Sequence, residues 1–289
     1  MRISIIGSGI VGKATGAGFH AYGNEVIFHD IDKEKLVLLR GQGYTVSEDI
    51  SEAVVNSTFS FICAQTPTVK GQMDFSFVEK AVVSIAKVLR KKKEYHIVAI
   101  RSTVLPSTTR LRIIPLLERY SQLKAGEDFG VCINPEFLRQ ASALTDFLKP
   151  CRIIIGELDN HSGDILEKLY SPFKTPIIRT DLDVAEMIKY VTNAFLTTKI
   201  SFFNEAYLIC KRSKLDPLIV AEAVALDPRI DSYGIYGGQP FEGKCLPKDL
   251  EAFINFLKSK GTNPKIFDAV LHINNQFMKM KVSRDENNE

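Results

Sequence analysis

The chain has 289 residues, a formal net charge of +3 and charged side chains at 25% of its positions. This length favours two domains of about 150 residues each. The charge is small and mixed in sign, so it indicates neither a nucleic-acid nor a membrane partner, and no apolar run is long enough to span a bilayer. Five cysteines without paired spacing predict a reducing compartment, which we take to be the cytoplasm. The histidines lack metal-ligand spacing, and we expect no metal site.

The first predicted element is a short apolar strand at residues 3–6, which a glycine-rich turn joins to a helix. The turn, Gly7-Ser-Gly-Ile-Val-Gly12, has the spacing of a dinucleotide-binding motif. Its first glycine allows the tight turn, the second lets a pyrophosphate approach the backbone, and the third lets the helix pack closely on the strand. The residues predicted to bind a nucleotide cofactor are Gly7, Gly9, Ile10, Val11 and Gly12 of this turn, and further along the chain Asp30, Thr66, Pro67 and Thr103.

A second predicted strand, at residues 26–30, ends in a carboxylate. In dinucleotide-binding folds a carboxylate at this position holds the two ribose hydroxyls, and Asp30 would repel the 2′-phosphate of NADP. The pattern therefore predicts NAD as the cofactor. The alternative is an ordinary aspartate at the end of a strand.

Strands and helices continue to alternate, with apolar strands predicted near residues 58–63, 97–100, 131–133, 153–155 and 177–178. Such alternation predicts a mostly parallel sheet with helices on both faces. Ligands bind outside the carboxyl ends of the strands in sheets of this kind. The polar or turn-forming residues that follow these strands include Thr66, Pro67, Thr103 and Glu136. We assign residues 1–182 to this Rossmann-like, doubly wound α/β domain.

The pattern changes to long helices after Asp183, and we assign residues 183–289 to an all-helical domain. Its first helix keeps an apolar period to about Lys214 without an intervening glycine or proline, so it is unusually long. Asp216-Pro217 and Asn263-Pro264 open two later helices. The second domain is therefore predicted to be built around one long central helix.

The segment Gly243-Lys-Cys-Leu-Pro-Lys-Asp249 places a cysteine at the start of a helix. Pro247 suits the first helical turn, and an apolar helical stripe follows it. Unpaired N–H groups at a helix start, with Lys244 and Lys248 beside them, favour the thiolate and lower the pKa of Cys245. Cys245 is therefore a candidate nucleophile, and a buried structural cysteine is the alternative.

Together these motifs resemble the UDP-glucose/GDP-mannose dehydrogenase family. The matching segments occur in the family's order and cover nearly the whole chain: residues 7–12, 66–68, 102–104, 134–139, 189–190, 193–196, 199–205, 227–230 and 245–249. The Asn-Pro-Glu-Phe-Leu-Arg form of segment 134–139 is closer to the branch acting on UDP-glucose and GDP-mannose than to the branch acting on N-acetylated sugars.

The resemblance implies an NAD-dependent, four-electron oxidation of a nucleotide sugar, expected to convert UDP-glucose to UDP-glucuronate for polysaccharide biosynthesis. A primary alcohol passes to an aldehyde and then to a carboxylate. A thiolate assists the second oxidation, because it adds to the aldehyde to form a thiohemiacetal. Loss of a hydride then gives a thioester, which water cleaves.

The resemblance also implies roles for single residues. The catalytic set comprises Cys245 as nucleophile, Lys199 and Asn204 as stabilisers of the developing oxyanion, and Asp249, Glu136 and Thr103 as general bases or groups that hold water or cofactor. A surface lysine is the alternative for Lys199, and a helix or turn cap is the alternative for Thr103.

The same resemblance assigns residues to the sugar nucleotide and to a second subunit. The substrate-binding set comprises Glu136, Phe137, Leu138, Lys199, Asn204, Arg229, Tyr233 and Gly238. Arg229 matches an arginine that reaches into the partner subunit's site, where its planar fork suits hydroxyl and phosphate oxygens. A homodimer built on the long helix is therefore implied.

Departures from the family pattern leave alternatives open. Members of the family continue into a third, nucleotide-gripping domain, whereas this chain ends a few polar residues after its last predicted helix. An NAD-binding homologue with weak or no activity that needs a partner chain is therefore one alternative, and a two-electron dehydrogenase with a catalytic lysine is another. Glu242 stands where a small residue is common, and close to Cys245 it would raise the pKa of the thiol.

Overall fold

A computed structural model describes residues 1–69, 71–243 and 245–286 of the chain. The strands are β1 (Arg2–Ile6), β2 (Glu25–His29), β3 (Thr45–Val46), β4 (Phe59–Ile62), β5 (Thr68–Val69), β6 (Gln72–Met73), β7 (Ile97–Ile100), β8 (Gly130–Ile133), β9 (Ile153–Glu157) and β10 (Ile177–Asp181). The α-helices are α1 (Ile10–Ala21), α2 (Lys33–Gly41), α3 (Ile50–Val55), α4 (Ser76–Leu89), α5 (Ile114–Ser121), α6 (Ala143–Leu148), α7 (Asn160–Tyr170), α8 (Leu182–Arg212), α9 (Pro217–Ala225), α10 (Leu246–Ser259) and α11 (Lys265–Glu286). A π-helical turn, Thr109–Ile113, leads into α5.

Eight strands form one sheet in the order β10-β9-β8-β7-β4-β1-β2-β3. Neighbouring strands pair in parallel, except that β8 and β9 are antiparallel. The part β3-β2-β1-β4-β7-β8 has the strand order of dinucleotide-binding folds, which reverses direction between β1 and β4. The predicted doubly wound, mostly parallel sheet is thus confirmed.

The central strands are buried on both faces, as expected for a sheet between two layers of helices. Every residue of β4, β7 and β8 is buried. Alternate residues of β7 belong to separate apolar clusters: Ile97 and Ala99 pack with residues of α1 and α7, and Val98 and Ile100 pack with residues of α4 and α5. This period of two follows from the alternation of side chains along a strand.

The chain divides into two compact units. The first comprises Met1–Pro67 with Asp74–Lys189, and the second comprises Thr68–Met73 with the chain from Tyr190 onward. This division differs from the predicted boundary after residue 182, because the first two turns of α8 belong to the first unit. It also gives the second unit the antiparallel hairpin of β5 and β6, where Asn255 of α10 donates to the Gly71 carbonyl over 2.7 Å.

The second unit is otherwise helical, as predicted. α8 has 31 residues, and the Asp216 side chain caps α9 by accepting from the Leu218 N–H. α10 begins directly after Cys245, which confirms the predicted helix start. None of the helices in the described ranges is both long and apolar enough to cross a membrane.

Candidate functional site

The glycine-rich turn follows β1 and opens α1. Gly7 has a φ of 99°, and a Cβ on it would approach the Cys63 carbonyl oxygen to 2.8 Å. A Cβ on Gly12 would collide with the Gly7 carbonyl, whereas a Cβ on Gly9 would meet only open space. The turn therefore leaves room beside Gly9 and presents the uncapped N-terminus of α1, which is the environment that a pyrophosphate needs.

Asp30 lies just after β2 and is joined to this turn. Its Oδ2 accepts from the Ser8 N–H at 2.6 Å, and its Oδ1 accepts from the Asp32 N–H at 2.9 Å. Lys35 lies 3.5 Å from the same carboxylate. Each carboxylate oxygen has a second lone pair, so these contacts leave acceptor sites for ribose hydroxyls. The predicted ribose contact of Asp30 stays a prediction.

The loops after β4 and β7 lie side by side at the next position of the sheet. Thr66 donates from its hydroxyl to the Thr103 carbonyl over 2.9 Å, and Ser102 donates to the Ala64 carbonyl over 2.6 Å. The strand order reverses between β1 and β4, and a crevice forms there in doubly wound sheets. The structure thus brings Thr66, Pro67 and Thr103 to the carboxyl ends of the central strands.

Arg101, the first residue after β7, is a buried cation that the sequence analysis did not single out. It donates to the Thr15 hydroxyl over 2.7 Å, to the Tyr170 hydroxyl over 3.3 Å and to both oxygens of Asn134. These partners lie on α1, on α7 and after β8. Arg101 therefore fixes the first turns of the cofactor helix relative to the residues that precede Glu136.

Glu136 forms a buried ion pair with Lys189 of α8. The Lys189 ammonium donates to Glu136 Oε1 at 2.8 Å and to the Glu136 carbonyl at 2.6 Å, and the Leu138 N–H donates to Oε2 at 2.6 Å. Burial raises the pKa of Glu136, but the charge and hydrogen bonds of Lys189 and the Leu138 N–H outweigh it, so the pKa lies below its usual value. A carboxylate held in this way suits a positioning role better than that of a general base.

Phe137 and Leu138 follow directly. The Arg152 guanidinium lies 4.2 Å from the centroid of the Phe137 ring, and the Lys189 ammonium lies 5.4 Å from it. Two cations thus contact the ring, and the Leu138 N–H is bound by Glu136. Their predicted backbone contacts with a sugar nucleotide stay predictions.

Cys245 is exposed and occupies the N-cap position of α10. Its carbonyl accepts the first hydrogen bond of the helix from the Asp249 N–H, at 2.8 Å. Pro247 lies in the first turn, as predicted. The predicted lowering of the thiol pKa by the helix start and Lys248 stays a prediction. Lys244 lies outside the described residues.

Asp249 is a buried carboxylate, 2% exposed, with a fixed orientation. Asn193 of α8 donates to its Oδ2 at 2.7 Å, and Lys248 donates to its Oδ1 at 2.6 Å. Both oxygens thus have a strong donor one helical turn after the cysteine. The sequence identified Asn193 only as a member of a family motif. Its contact with Asp249 could not be predicted, because the two residues are far apart in the sequence.

Lys199, a partly buried residue near the middle of α8, contacts the segment that leads to the cysteine. Its ammonium donates to the Ile230 carbonyl at 2.5 Å and to the Asp231 carbonyl at 2.9 Å. An ammonium has three donors, so these two bonds leave one for a substrate oxygen. Its predicted part in oxyanion stabilisation stays a prediction.

Asn204 is fully buried and bonds the backbone of the same segment. Its side-chain oxygen accepts from the Gly238 N–H at 2.8 Å, and its amide donates to the Gln239 carbonyl at 2.9 Å. The structure thus shows Asn204 holding the backbone at Gly238. Its predicted role as an oxyanion donor would depend on the second N–H of the same amide.

Arg229 and Tyr233 lie at the surface. The Arg229 side chain is 87% exposed and forms a bidentate pair with Asp227, with the shortest contact at 2.6 Å. Tyr233 is also exposed. Glu242, the predicted neighbour of the thiol, pairs with Lys281 at 2.8 Å, and this cation offsets its charge.

The site residues thus form two groups, each inside one compact unit. The first unit contains the glycine turn, Asp30, the paired loops and Glu136, and the second contains Lys199, Asn204, Cys245 and Asp249. The first group fits NAD by its open space at Gly9 and the uncapped N-terminus of α1. In the described ranges no group of three or more histidine, cysteine or acidic side chains could hold a metal ion.

Comparisons with known proteins match the chain to two domains of one family. Residues 37–174 match the NAD-binding domain of the UDP-glucose/GDP-mannose dehydrogenase family, and residues 183–276 match its central domain. The GDP-mannose 6-dehydrogenase of Pseudomonas putida is 37% identical over 95% of this chain and 68% of its own length. The UDP-glucose 6-dehydrogenase of Bacillus subtilis is 36% identical over 94% of this chain and 62% of its own length.

A solved structure extends the comparison to three dimensions. The UDP-glucose dehydrogenase of Pyrobaculum islandicum superposes with a TM-score of 0.88 at 35% identity, covering 95% of this chain and 68% of the other. This chain therefore spans roughly two thirds of the length of its relatives. These matches and the glycine-turn geometry show that the chain belongs to the UDP-glucose/GDP-mannose dehydrogenase family of NAD-dependent oxidoreductases.

Proposed function

We propose that this protein is a nucleotide-sugar 6-dehydrogenase that oxidises a primary alcohol to a carboxylate through a covalent intermediate on Cys245. The observation that carries the proposal is the exposed cysteine at the N-cap of α10, with the buried Asp249 carboxylate one turn later. A two-electron alcohol dehydrogenase needs no nucleophile, whereas aldehyde oxidation by hydride loss proceeds readily from a thiohemiacetal.

The first unit would hold NAD by the glycine turn and Asp30, and the bound cofactor would accept the hydride in each of two oxidations. The Cys245 thiolate adds to the aldehyde carbon, and the resulting thiohemiacetal becomes a thioester when its hydride leaves. Water then attacks the thioester carbon, which releases the carboxylic acid and returns the thiol. The overall reaction consumes one water and transfers two hydrides per sugar.

Other predicted site residues would organise this chemistry. Lys199 has one donor beyond its two backbone bonds and would bind the oxygen of the reacting carbon. Asp249, held by Asn193 and Lys248, would accept a hydrogen bond from the attacking water. Glu136 of the first unit has a lowered pKa and would orient the substrate as a carboxylate.

Two sugar nucleotides are candidates for the substrate. The family resemblance of the sequence favours UDP-glucose, and the superposition on a UDP-glucose dehydrogenase supports it. GDP-mannose is the second candidate, because relatives named GDP-mannose 6-dehydrogenase reach 37% identity over 95% of the chain. The two substrates differ in the base and in the configuration at C2 of the sugar, so parallel assays distinguish them.

The long helix supports a homodimer. Four large apolar side chains, Val191, Phe195, Phe202 and Ile209, are at least half exposed along α8. Their spacings of four, seven and seven residues place them on one face of a helix. An apolar stripe of this kind on a monomer would be open to water, and a second copy of the chain would cover it.

The proposal is tested by incubating the purified chain with NAD⁺ and, separately, UDP-glucose, GDP-mannose and a UDP-N-acetylhexosamine. We expect a uronate product from one of the first two. Cys245→Ser should abolish the release of acid, whereas the exposed Cys151, changed to serine, serves as the matched control and should leave it unchanged. Acid release by Cys245→Ser at the wild-type rate would contradict the covalent mechanism, and NAD binding without turnover would favour a non-catalytic homologue.

A further inference from the structure

The segment that leads to the thiol has little regular structure of its own. Residues 233–243, which we call the thiol loop, lie between α9 and α10 and contain no helix or strand. Gly238 and Gly243 adopt φ values of 100° and 90°, a backbone region that favours glycine. Glycine loses much conformational freedom when it is ordered, so this loop needs contacts from outside to hold one shape.

Asn274 of α11 supplies such contacts. Its side-chain oxygen accepts from the Phe241 N–H at 2.8 Å, and its amide donates to the Phe241 carbonyl at 3.1 Å. The Asn274 side chain is 3% exposed. One carboxamide therefore satisfies both backbone groups of a buried loop residue, as a neighbouring strand would do.

Asn204 of α8 makes the equivalent pair of bonds on the same loop. It satisfies the Gly238 N–H and the Gln239 carbonyl. Two buried asparagines on two helices thus hold backbone positions three residues apart, Gly238 and Phe241. The loop is fixed from α8 and α11 together.

Phe241 transmits this fixation to the helix that carries the thiol. Its buried ring packs in one cluster with Leu250, Ile254 and Val270, and Leu246 lies against that cluster. Leu246 and Leu250 belong to the first two turns of α10, and Cys245 is the N-cap of that helix. A shift of the Phe241 backbone would therefore disturb the packing at the start of α10.

We propose that Asn274 is a positioning residue that sets the location of the Cys245 thiol through the backbone of Phe241. The inference rests on the proposed function for its catalytic consequence, while its structural part stands on the two hydrogen bonds alone. Asn274 touches no reacting atom in this scheme. It acts through the loop, and the family resemblance assigned it no role.

The hydrogen-bond pattern dictates which substitutions are informative. Asn274→Ala removes both bonds and leaves a buried N–H and C=O unsatisfied. Asn274→Asp keeps an acceptor for the Phe241 N–H but places a carboxylate against the Phe241 carbonyl. A protonated carboxyl has both a donor and an acceptor, so this variant regains the native pattern at low pH. Asn275, the adjacent exposed asparagine of α11, gives the matched control Asn275→Ala.

The experiment compares the wild-type chain with Asn274→Ala, Asn274→Asp and Asn275→Ala. Amide hydrogen exchange is followed on peptides covering the thiol loop, and alkylation of Cys245 by iodoacetamide is followed by mass spectrometry relative to the exposed Cys151. The values of kcat and KM are then measured with NAD⁺ and the sugar nucleotide that the wild type oxidises.

We expect faster exchange of the thiol loop in Asn274→Ala, a Cys245-to-Cys151 alkylation ratio lower by about threefold or more, and kcat lower by about tenfold or more with a smaller change in KM. Asn274→Asp should recover relative to the wild type as pH falls. Asn275→Ala should match the wild type throughout.

Three results would overturn the proposal: an alkylation ratio in Asn274→Ala equal to that of Asn275→Ala, faster exchange spread evenly over α8, α9 and α11, or an Asn274→Asp variant whose defect does not respond to pH. A wild-type chain without turnover would count against the proposed function. The exchange and alkylation results would still decide the role of Asn274, because they require no substrate.

Discussion

Replacement of Lys189 by methionine should destabilise the first unit by an amount that depends on pH. The substitution keeps most of the side-chain volume and removes the ammonium that pairs with Glu136 at 2.8 Å. Both side chains are less than a tenth exposed. The change would leave a carboxylate in a buried site with the Leu138 N–H as its remaining described donor.

The expected loss of unfolding free energy depends on whether Glu136 stays charged or binds a proton in the variant. Removing one partner of a buried ion pair costs about 3–5 kcal/mol. The carboxyl can avoid an unpaired charge by binding a proton, which at about pH 7 costs about 3 kcal/mol for a group whose usual pKa is 4.5. This route sets the expected loss near the lower end of that range, at about 3–4 kcal/mol once the lost hydrogen bonds are added.

The stability difference between the wild type and the variant should become smaller at lower pH. In the wild type the pKa of Glu136 is lowered, so its stabilising contribution is complete above pH 4.5 and is lost only below it. In the variant the folded chain holds an extra proton, so its stability rises as pH falls toward 4.5. The difference between the two proteins should therefore shrink by about 2.5 kcal/mol between about pH 7 and about pH 5.

Urea unfolding followed by circular dichroism, at about pH 7 and about pH 5, measures the loss of unfolding free energy and its change with pH. The control is Lys87→Met, at an exposed position of α4, which should change the unfolding free energy by less than about 0.5 kcal/mol. Glu136→Gln combined with Lys189→Met should cost less than the sum of the single changes. A loss below about 1 kcal/mol that is equal at both pH values would refute the buried pair.

Three further predictions concern the cofactor, the pH response and assembly. Gly12→Ala should weaken NAD binding by about tenfold or more, because the new Cβ collides with the Gly7 carbonyl; an unchanged Kd by calorimetry would contradict this. Burial raises the pKa of Glu186 to about 7, so stability should fall by up to about 3 kcal/mol as pH rises from 4.5 to about 7, because the folded chain keeps a proton that the unfolded chain loses. Glu186→Gln should remove this slope in unfolding experiments, and an identical pH profile would count against it. Phe202→Glu should shift the mass measured by light scattering from dimer to monomer, whereas a monomeric wild type would exclude the proposed interface.

Much of the first unit could be predicted because its signals are local. The glycine turn, the apolar strands and the carboxylate after β2 each depend on a few adjacent residues, and the strand order confirms the doubly wound sheet that they predict. The signal for the start of α10 was also local, because Pro247 favours the first turn of a helix directly after Cys245. These features needed no knowledge of distant contacts.

The buried polar contacts could not be predicted from the sequence. Lys189, Asn193 and Asn274 lie on helices whose periodicity alone suits either a core or a surface position, and their partners are far away along the chain. The same holds for the hairpin of β5 and β6, which is too short to give a strand pattern. Its assignment to the second unit depends on tertiary contacts such as that of Asn255 with Gly71.

The measurement that tests the central claim most directly is the number of NADH molecules formed per sugar nucleotide consumed. The sugar is made limiting, NADH is read by its absorbance at completion, and the product is identified by mass spectrometry. The Cys245 mechanism predicts two NADH and one uronate per sugar. One NADH with an aldehyde product, or no NADH with either UDP-glucose or GDP-mannose, would contradict it.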